Sequence, residues 1–192
     1  MPKAVQNILP KALFAVAVVA AVGVVGAARA QFGATPTMES GYGYGQNNPT
    51  TYIDAFDAVY QSSSSTFLDQ LDAALALADS AATNDFIASA DNQTTIFDQS
   101  VKSAEDQFLT SIDQSMSRGE SKDQFIASFS SARDTYFNQL NAAKDRLSDA
   151  LNQTGSNQAK DQFSNAFNTA LADYGNTLEA AKNKFADSVN NH

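Results

Sequence analysis

The sequence predicts an all-α protein: an antiparallel four-helix bundle of long amphipathic helices that follows a signal peptide and a flexible leader. Three observations carry that expectation. First, apolar residues recur every eleven positions, as in Phe125, Tyr136 and Leu147, or Phe129, Leu140 and Leu151. Eleven residues in three turns is about 3.67 per turn, close to the 3.6 of an ideal helix, so these positions stay on one side throughout and imply a straight or slightly right-handed bundle. Second, four such runs stand in series with short breaks between them, and short connectors make neighbouring helices antiparallel. Third, the 192 residues are 43% apolar and 10% aromatic, without Cys or Trp. That composition suits one folded domain whose core comes from helix packing and not from disulfides.

Residues 1–30 read as a targeting segment. Lys3 and Lys11 precede an apolar run from Ala12 to Ala28, and Ala28-Arg29-Ala30 fits the small-x-small cleavage rule. Cleavage near Ala30 gives a mature start at Gln31 and a secreted, periplasmic or cell-surface location. The alternative is an uncleaved anchor, for which the run lies at the short end of what spans a bilayer. Residues 31–49 form a Gly/Tyr/Pro leader without apolar periodicity, read as a linker. Within it, Gly41-Tyr42-Gly43-Tyr44-Gly45 is a short alternation whose other reading is an adhesive or cross-linkable tyrosine element.

The bundle proper, 50–192, divides into helices of about 50–82, 84–117, 121–153 and 157–190. In the first, Thr51 and Asp54 after Pro49 resemble a capping box. Phe56, Phe67 and Ala78 form one column and Tyr60, Leu71 and Ala82 the next. Ser62 to Ser65 are poor helix formers, yet the register of Phe56 and Phe67 crosses them unbroken, which predicts a continuous helix. The second helix opens at Asn84 as N-cap, carries Phe86, Phe97 and Phe108 beside Ala90, Val101 and Ile112, and stops at Gly119 as a left-handed terminator.

The third helix opens on Ser121 and Gln124 as a capping box and ends near Gly155. Its core columns are Phe125, Tyr136, Leu147 and Phe129, Leu140, Leu151, with Ala132 and Ala143 as small neighbours. The fourth carries Phe163, Tyr174, Phe185 and Phe167, Leu178, Val189, with Ala159, Ala170 and Ala181. Gly175 interrupts it at about 1 kcal/mol relative to Ala, so it either permits close packing or marks a bend.

Charge is uneven. After Arg29 no Lys or Arg occurs before Lys102, whereas nine acids do, and residues 31–192 hold nine bases against 21 acids for a net −12. Such a surface repels phosphate backbones, which argues against nucleic acid as a partner. Lys122, Arg133 and Lys144 are eleven apart, and Lys160 and Lys182 take the matching places in the fourth helix. This basic border column flanks the apolar stripe, where stems cover core edges and heads meet acids. Bundle pairing is favoured over a groove for an anionic ligand, since exposed pairs of this kind are common. Asp-Gln-Phe occurs at 106–108, 123–125 and 161–163. Asp123 and Asp161 suit a helix first turn, where a carboxylate meets the dipole. The pairs Asp54 with Asp57 and Asp69 with Asp72 lie on one helix face and read as solvated rather than as a hard-cation site.

Enzymatic chemistry finds few residues to use. The one histidine is His192, which leaves a Ser-His-Asp triad, a Cys-His pair and the Glu-x-x-His sites of di-iron bundles without their histidine. No phosphate-binding glycine loop is present either. The expectation is a non-enzymatic protein without cofactor or metal. Asn92-Gln93-Thr94 and Asn152-Gln153-Thr154 match the N-glycosylation acceptor pattern, which has meaning only in a eukaryotic secretory route.

Two functions from different classes fit. One is an extracytoplasmic structural or protein-interaction module that binds a protein partner or self-assembles. The other is an amphipathic lipid-surface or hydrophobic-ligand binder, which resembles in general design the exchangeable apolipoproteins and apolipophorins: exported, helical, Cys-poor and built on elevens. Surface-seeking helices carry Lys and Arg along the apolar border. Here the first helix has none, and across the chain uncharged Ser, Asn and Gln dominate the exposed positions, which favours the closed bundle.

Overall fold

The computed structural model describes residues 48–78 and 82–191. Signal-peptide cleavage, all of the leader before Asn48, the connector at 79–81 and His192 lie outside the described residues. Among the described residues, four helices and no strand occur: α1 (Thr50–Leu75), α2 (Ala82–Asp113), α3 (Arg118–Gln153) and α4 (Asn157–Asn190). No helix among them is long and apolar enough to cross a membrane.

Several helix ends differ from the sequence reading, each for a local reason. The start of α1 is tied by Asn48: its side-chain oxygen accepts from Thr50 N at 3.1 Å, while Thr51 Oγ1 donates to Asn48 O. Thr51 therefore does not form a capping box with Asp54. α1 stops at Leu75, short of residue 82, because Leu77 and Ala78 close tight turns onto Ala74 and Leu75. α2 starts at Ala82, which places Asn84 inside the helix and not at its cap.

α2 also ends early, at Asp113. Ser115 takes the left-handed conformation (φ 64°), with Met116 N bonded to Ser111 O and Ser115 N to Ile112 O. This is the double closure that satisfies a helix's last carbonyls. The chain then re-enters a helix one turn sooner than Ser121: Ser117 Oγ accepts from Glu120 N and donates to Glu120 Oε2 at 2.8 Å. That N-cap makes Gly119 a first-turn residue of α3 instead of a terminator, and leaves Ser121 wholly buried with no hydrogen-bond partner for Oγ. At the α3–α4 junction Gly155 does adopt positive φ (74°), with Ser156 N bonded to Leu151 O.

The four apolar stripes face one another. α1 and α4 pack closely, as do α2 and α3; α3 and α4 are more open, and the backbones of α1 and α2 scarcely meet. Ring contacts show the antiparallel sense. Phe56 meets Phe185 while Phe67, further along α1, stacks on Tyr174, earlier in α4. The register of those two contacts sets Tyr60 opposite Ala181 and Leu71 opposite Ala170, so a large residue on one helix meets a small one on the other and the backbones draw together. Ser62 to Ser65 stay helical within α1, Ser63 Oγ donating to Val59 O one turn back.

An approximate two-fold axis relates the halves. The contacts of Phe56 with Phe125 and Phe129 recur as those of Phe86 with Phe163 and Phe167. The Phe67–Tyr174 stack recurs as Phe97–Tyr136. This matches a repeat in the chain: Lys122-Asp123-Gln124-Phe125 returns as Lys160-Asp161-Gln162-Phe163, an offset of 38 that also carries Phe129, Ala132, Tyr136, Leu140, Ala143 and Lys144 onto Phe167, Ala170, Tyr174, Leu178, Ala181 and Lys182.

Candidate functional site

The middle of the bundle is where polar groups enter the core. One turn before each stacked phenylalanine stands a hydroxyl: Ser64 before Phe67, Thr94 before Phe97. Each meets the tyrosine stacked on that phenylalanine, Ser64 Oγ with Tyr174 OH at 2.8 Å and Thr94 Oγ1 with Tyr136 OH at 2.9 Å. The rings of Tyr136 and Tyr174 approach edge-on at 6.4 Å between centroids. Tyr60 completes the cluster, donating its hydroxyl to Asp98 Oδ1 across the gap between α1 and α2. Such pairing is what a buried hydroxyl requires.

Electrostatics in this layer favour protonated groups. Burial pushes the phenols of Tyr60, Tyr136 and Tyr174 above their ordinary value, so these rings serve as neutral hydrogen-bonding partners and not as phenolates. Burial also raises Asp98, opposed by the hydrogen bond from Tyr60. Further along the same seam, burial together with the charges of Asp69 and Asp91 pushes Asp72 up to about 6. Burial raises Asp91 as well. Asp72 Oδ1 is enclosed without a hydrogen-bond partner.

Outside each Phe/Tyr stack runs a shallow groove. The α1/α4 groove is lined by Ser62, Thr66, Gln70 and Thr177, and the α2/α3 groove by Gln93, Ser100, Ser131 and Thr135 with Ile96, 45% exposed, among them. Both mix short polar side chains with apolar ones, Ala58 and Val59 in the first and Ala127 and Ala132 in the second, and Asp173 adds a carboxylate to the first.

The residues singled out in the sequence fall as follows. Phe56, Phe67, Phe86, Phe97, Phe108, Phe125, Phe129, Tyr136, Leu140, Leu147, Phe163, Phe167, Tyr174, Leu178 and Phe185 are all buried. In the second columns Ile112 and Ala82 are only half-buried. The five basic side chains are 18–31% exposed, which leaves the heads in water and the stems against the core edge. Lys122, Lys144 and Lys160 each pair with the aspartate that follows, Lys122 Nζ also reaching Asn190 Oδ1 at 2.8 Å. Arg133 and Lys182 converge on Glu179, joining α3 to α4. No shared anion groove results.

Asp54 and Asp69 are exposed, Asp57 is buried and Asp72 half-buried. Among the described residues no group of three or more His, Cys, Asp or Glu is placed to hold a metal ion. Asn92 and Asn152 are both exposed, although Thr94 and Thr154 of the two acceptor patterns have their hydroxyls engaged, with Tyr136 and with Leu151 O. Sequence reasoning passed over Tyr60, Ser64, Asp98 and Thr94 as a unit. The available signal was a hydroxyl three residues before each of Phe67 and Phe97. Compared with protein-family models, with curated proteins and with solved structures, the chain matches none.

Proposed function

We propose that this protein is an exported, non-enzymatic helical bundle that works outside the cytoplasm as a structural or protein-interaction module. The observation that supports this reading is the closure of the core. Phe56 alone contacts rings from α3 and α4, and Phe108 contacts rings from α1, α3 and α4, so the apolar stripes are occupied with one another. What lines the two grooves is a mixture of Ser, Thr and Gln with small apolar side chains, a surface suited to contact with a protein. The eleven-residue spacing is read as the device that keeps each stripe aligned over three turns at a time. Residues 1–30 are taken as the export signal and 31–49 as the tether between module and attachment.

Co-flotation of residues 31–192 with neutral and anionic vesicles, followed by far-UV circular dichroism, tests it. No flotation and an unchanged helical spectrum support a closed module. Tight flotation with lipid-induced change would overturn it in favour of a bundle that opens onto a lipid surface.

A further inference from the structure

The two grooves beside the Phe/Tyr stacks occupy matching places about the approximate two-fold axis, yet their side chains diverge in one direction. Between α1 and α2 the match is an offset of 30, as from Phe56 to Phe86 and from Phe67 to Phe97. Thr66 of the α1/α4 groove therefore corresponds to Ile96 of the α2/α3 groove. Between α3 and α4 the offset of 38 matches Ala127 with Asn165, Ser131 with Thr169 and Thr135 with Asp173, all six exposed. The α2/α3 face thus gains an apolar knob on one helix, smaller side chains on the other, and loses a carboxylate. No side chain that lines its groove is charged, in a chain whose residues 31–192 hold nine bases against 21 acids. Among the described residues three large apolar side chains are exposed; Ile96 is one, and Met116 stands where the same groove continues past Gln107.

We propose that the α2/α3 face is where two copies of this chain pair, Ile96 of each seated over Ser131 and Thr135 of the other. This rests on the reading of the bundle as a protein-interaction module and specifies its partner. Phe97 touches the rings of both Phe129 and Tyr136, so its neighbour Ile96 stands level with Ser131 and Thr135 across the groove. A two-fold axis running along the groove sets each α2 opposite the other copy's α3 at the same level. Knob then meets trough twice, which is the self-complementarity that a two-fold interface requires.

Charge selects a second copy as the occupant. Two chains this acidic repel over most of their surface, and a face without charge lets them touch without bringing carboxylates together. A cationic partner would find no counter-charge along the same groove. Size sets the strength. From Gln93 to Gln107 the face runs about 21 Å at 1.5 Å per residue, and two helices side by side are about 20 Å wide. That is on the order of 400 Å² per copy, about half of what a stable interface of standard size buries on each side, so the pair is a weak one with a Kd on the order of 10–100 µM.

Sedimentation equilibrium of the full chain over concentrations that bracket this Kd tests the pairing, with circular dichroism as the check on folding. The parent's average mass should climb from monomer towards dimer. Ile96→Thr and Thr135→Asp each install the residue that stands at the matching place of the α1/α4 groove, so the helical spectrum should be kept. Each acts twice in a two-fold pair and should weaken association by about tenfold. Thr66→Asp puts a charge at the matching place of the other groove and should leave association unchanged. A parent that stays monomeric, association that survives both Ile96→Thr and Thr135→Asp, or equal loss with Thr66→Asp would each overturn the pairing. Vesicle flotation of the same samples separates it from the reading it rests on: a monomer that does not float overturns the pairing alone, whereas a monomer that floats and changes its spectrum on lipid overturns both.

Discussion

The two open seams of the bundle, α1–α2 and α3–α4, are crossed by the same approximate two-fold axis yet are built from opposite electrostatics. α1 and α2 together carry ten acids and Lys102, whereas α3 and α4 carry nine acids and eight bases. At the first seam Tyr60 bridges to Asp98 and Phe97. At the second, Arg133 and Lys182 meet at Glu179, and Ser148 meets Ser164 at 3.2 Å. The hydrogen bond from Lys182, aided by Arg133, holds Glu179 below its ordinary value, while burial and like charge hold Asp72 above its own. The seams thus respond to acid with opposite signs. A carboxylate lowered by cations loses its contribution as pH falls through its folded value; one raised by anions regains stability on the same path.

Substitutions at each seam can sharpen or break this contrast. The largest expected effect is the reference common to both. Phe129 touches rings of α1 and α2 besides its own helix, and Phe129→Ala should cost about 3–5 kcal/mol in urea unfolding, by lost burial and a cavity. An unchanged midpoint would mean the core does not join the seams. Tyr60→Phe strips Asp98 of its donor and should cost about 1–3 kcal/mol at neutral pH. Because that bond opposes the raising of Asp98, the loss should shrink at pH 4. A pH-independent loss would assign Tyr60 to packing alone.

Glu179→Gln addresses the other seam, where the carboxylate itself is exposed; under about 1 kcal/mol should be lost, and the difference from the parent should fade in high salt. A larger, salt-insensitive loss would make the α3–α4 seam a buried network. Smallest of all is Gly175→Ala. A Cβ there would lie 3.2 Å from Phe137 Cε2, at the far end of a half-buried ring that can yield. The gain in helix propensity, about 1 kcal/mol, and the cost of moving the ring should leave a net within about 0.5 kcal/mol. A severe loss would show that Phe137 cannot move.

Much of the helical architecture could be read from periodicity, because a stripe that recurs every eleven residues leaves few alternatives to a long helix. The ends of α2 and the start of α3 were less legible. Gly119 looked like the terminator, but Ser115 can enter the left-handed region, and Ser117 with Glu120 had already started the next helix. Interruption at Gly175 resolves as close packing against Phe137, which only the partner helix could decide. The polar layer was hidden for a different reason. Tyr60 reads as a core aromatic and Asp98 as a solvated acid until a second helix brings them together, and charge counts along one strand of sequence do not say which acids face each other.

Gly175 and Phe137 also bear on how a chain with two similar helices settles on one arrangement. They occupy matching places in the 38-residue repeat, and they meet each other near the axis, as Tyr136 and Tyr174 also do. Two phenylalanines there would compete for the same volume, and two glycines would leave it empty. One of each forms a plug and socket, and that choice makes α3 and α4 distinguishable partners where the rest of the repeat makes them nearly interchangeable. The asymmetry at a single site thereby works against exchange of the two copies, within one molecule or between two.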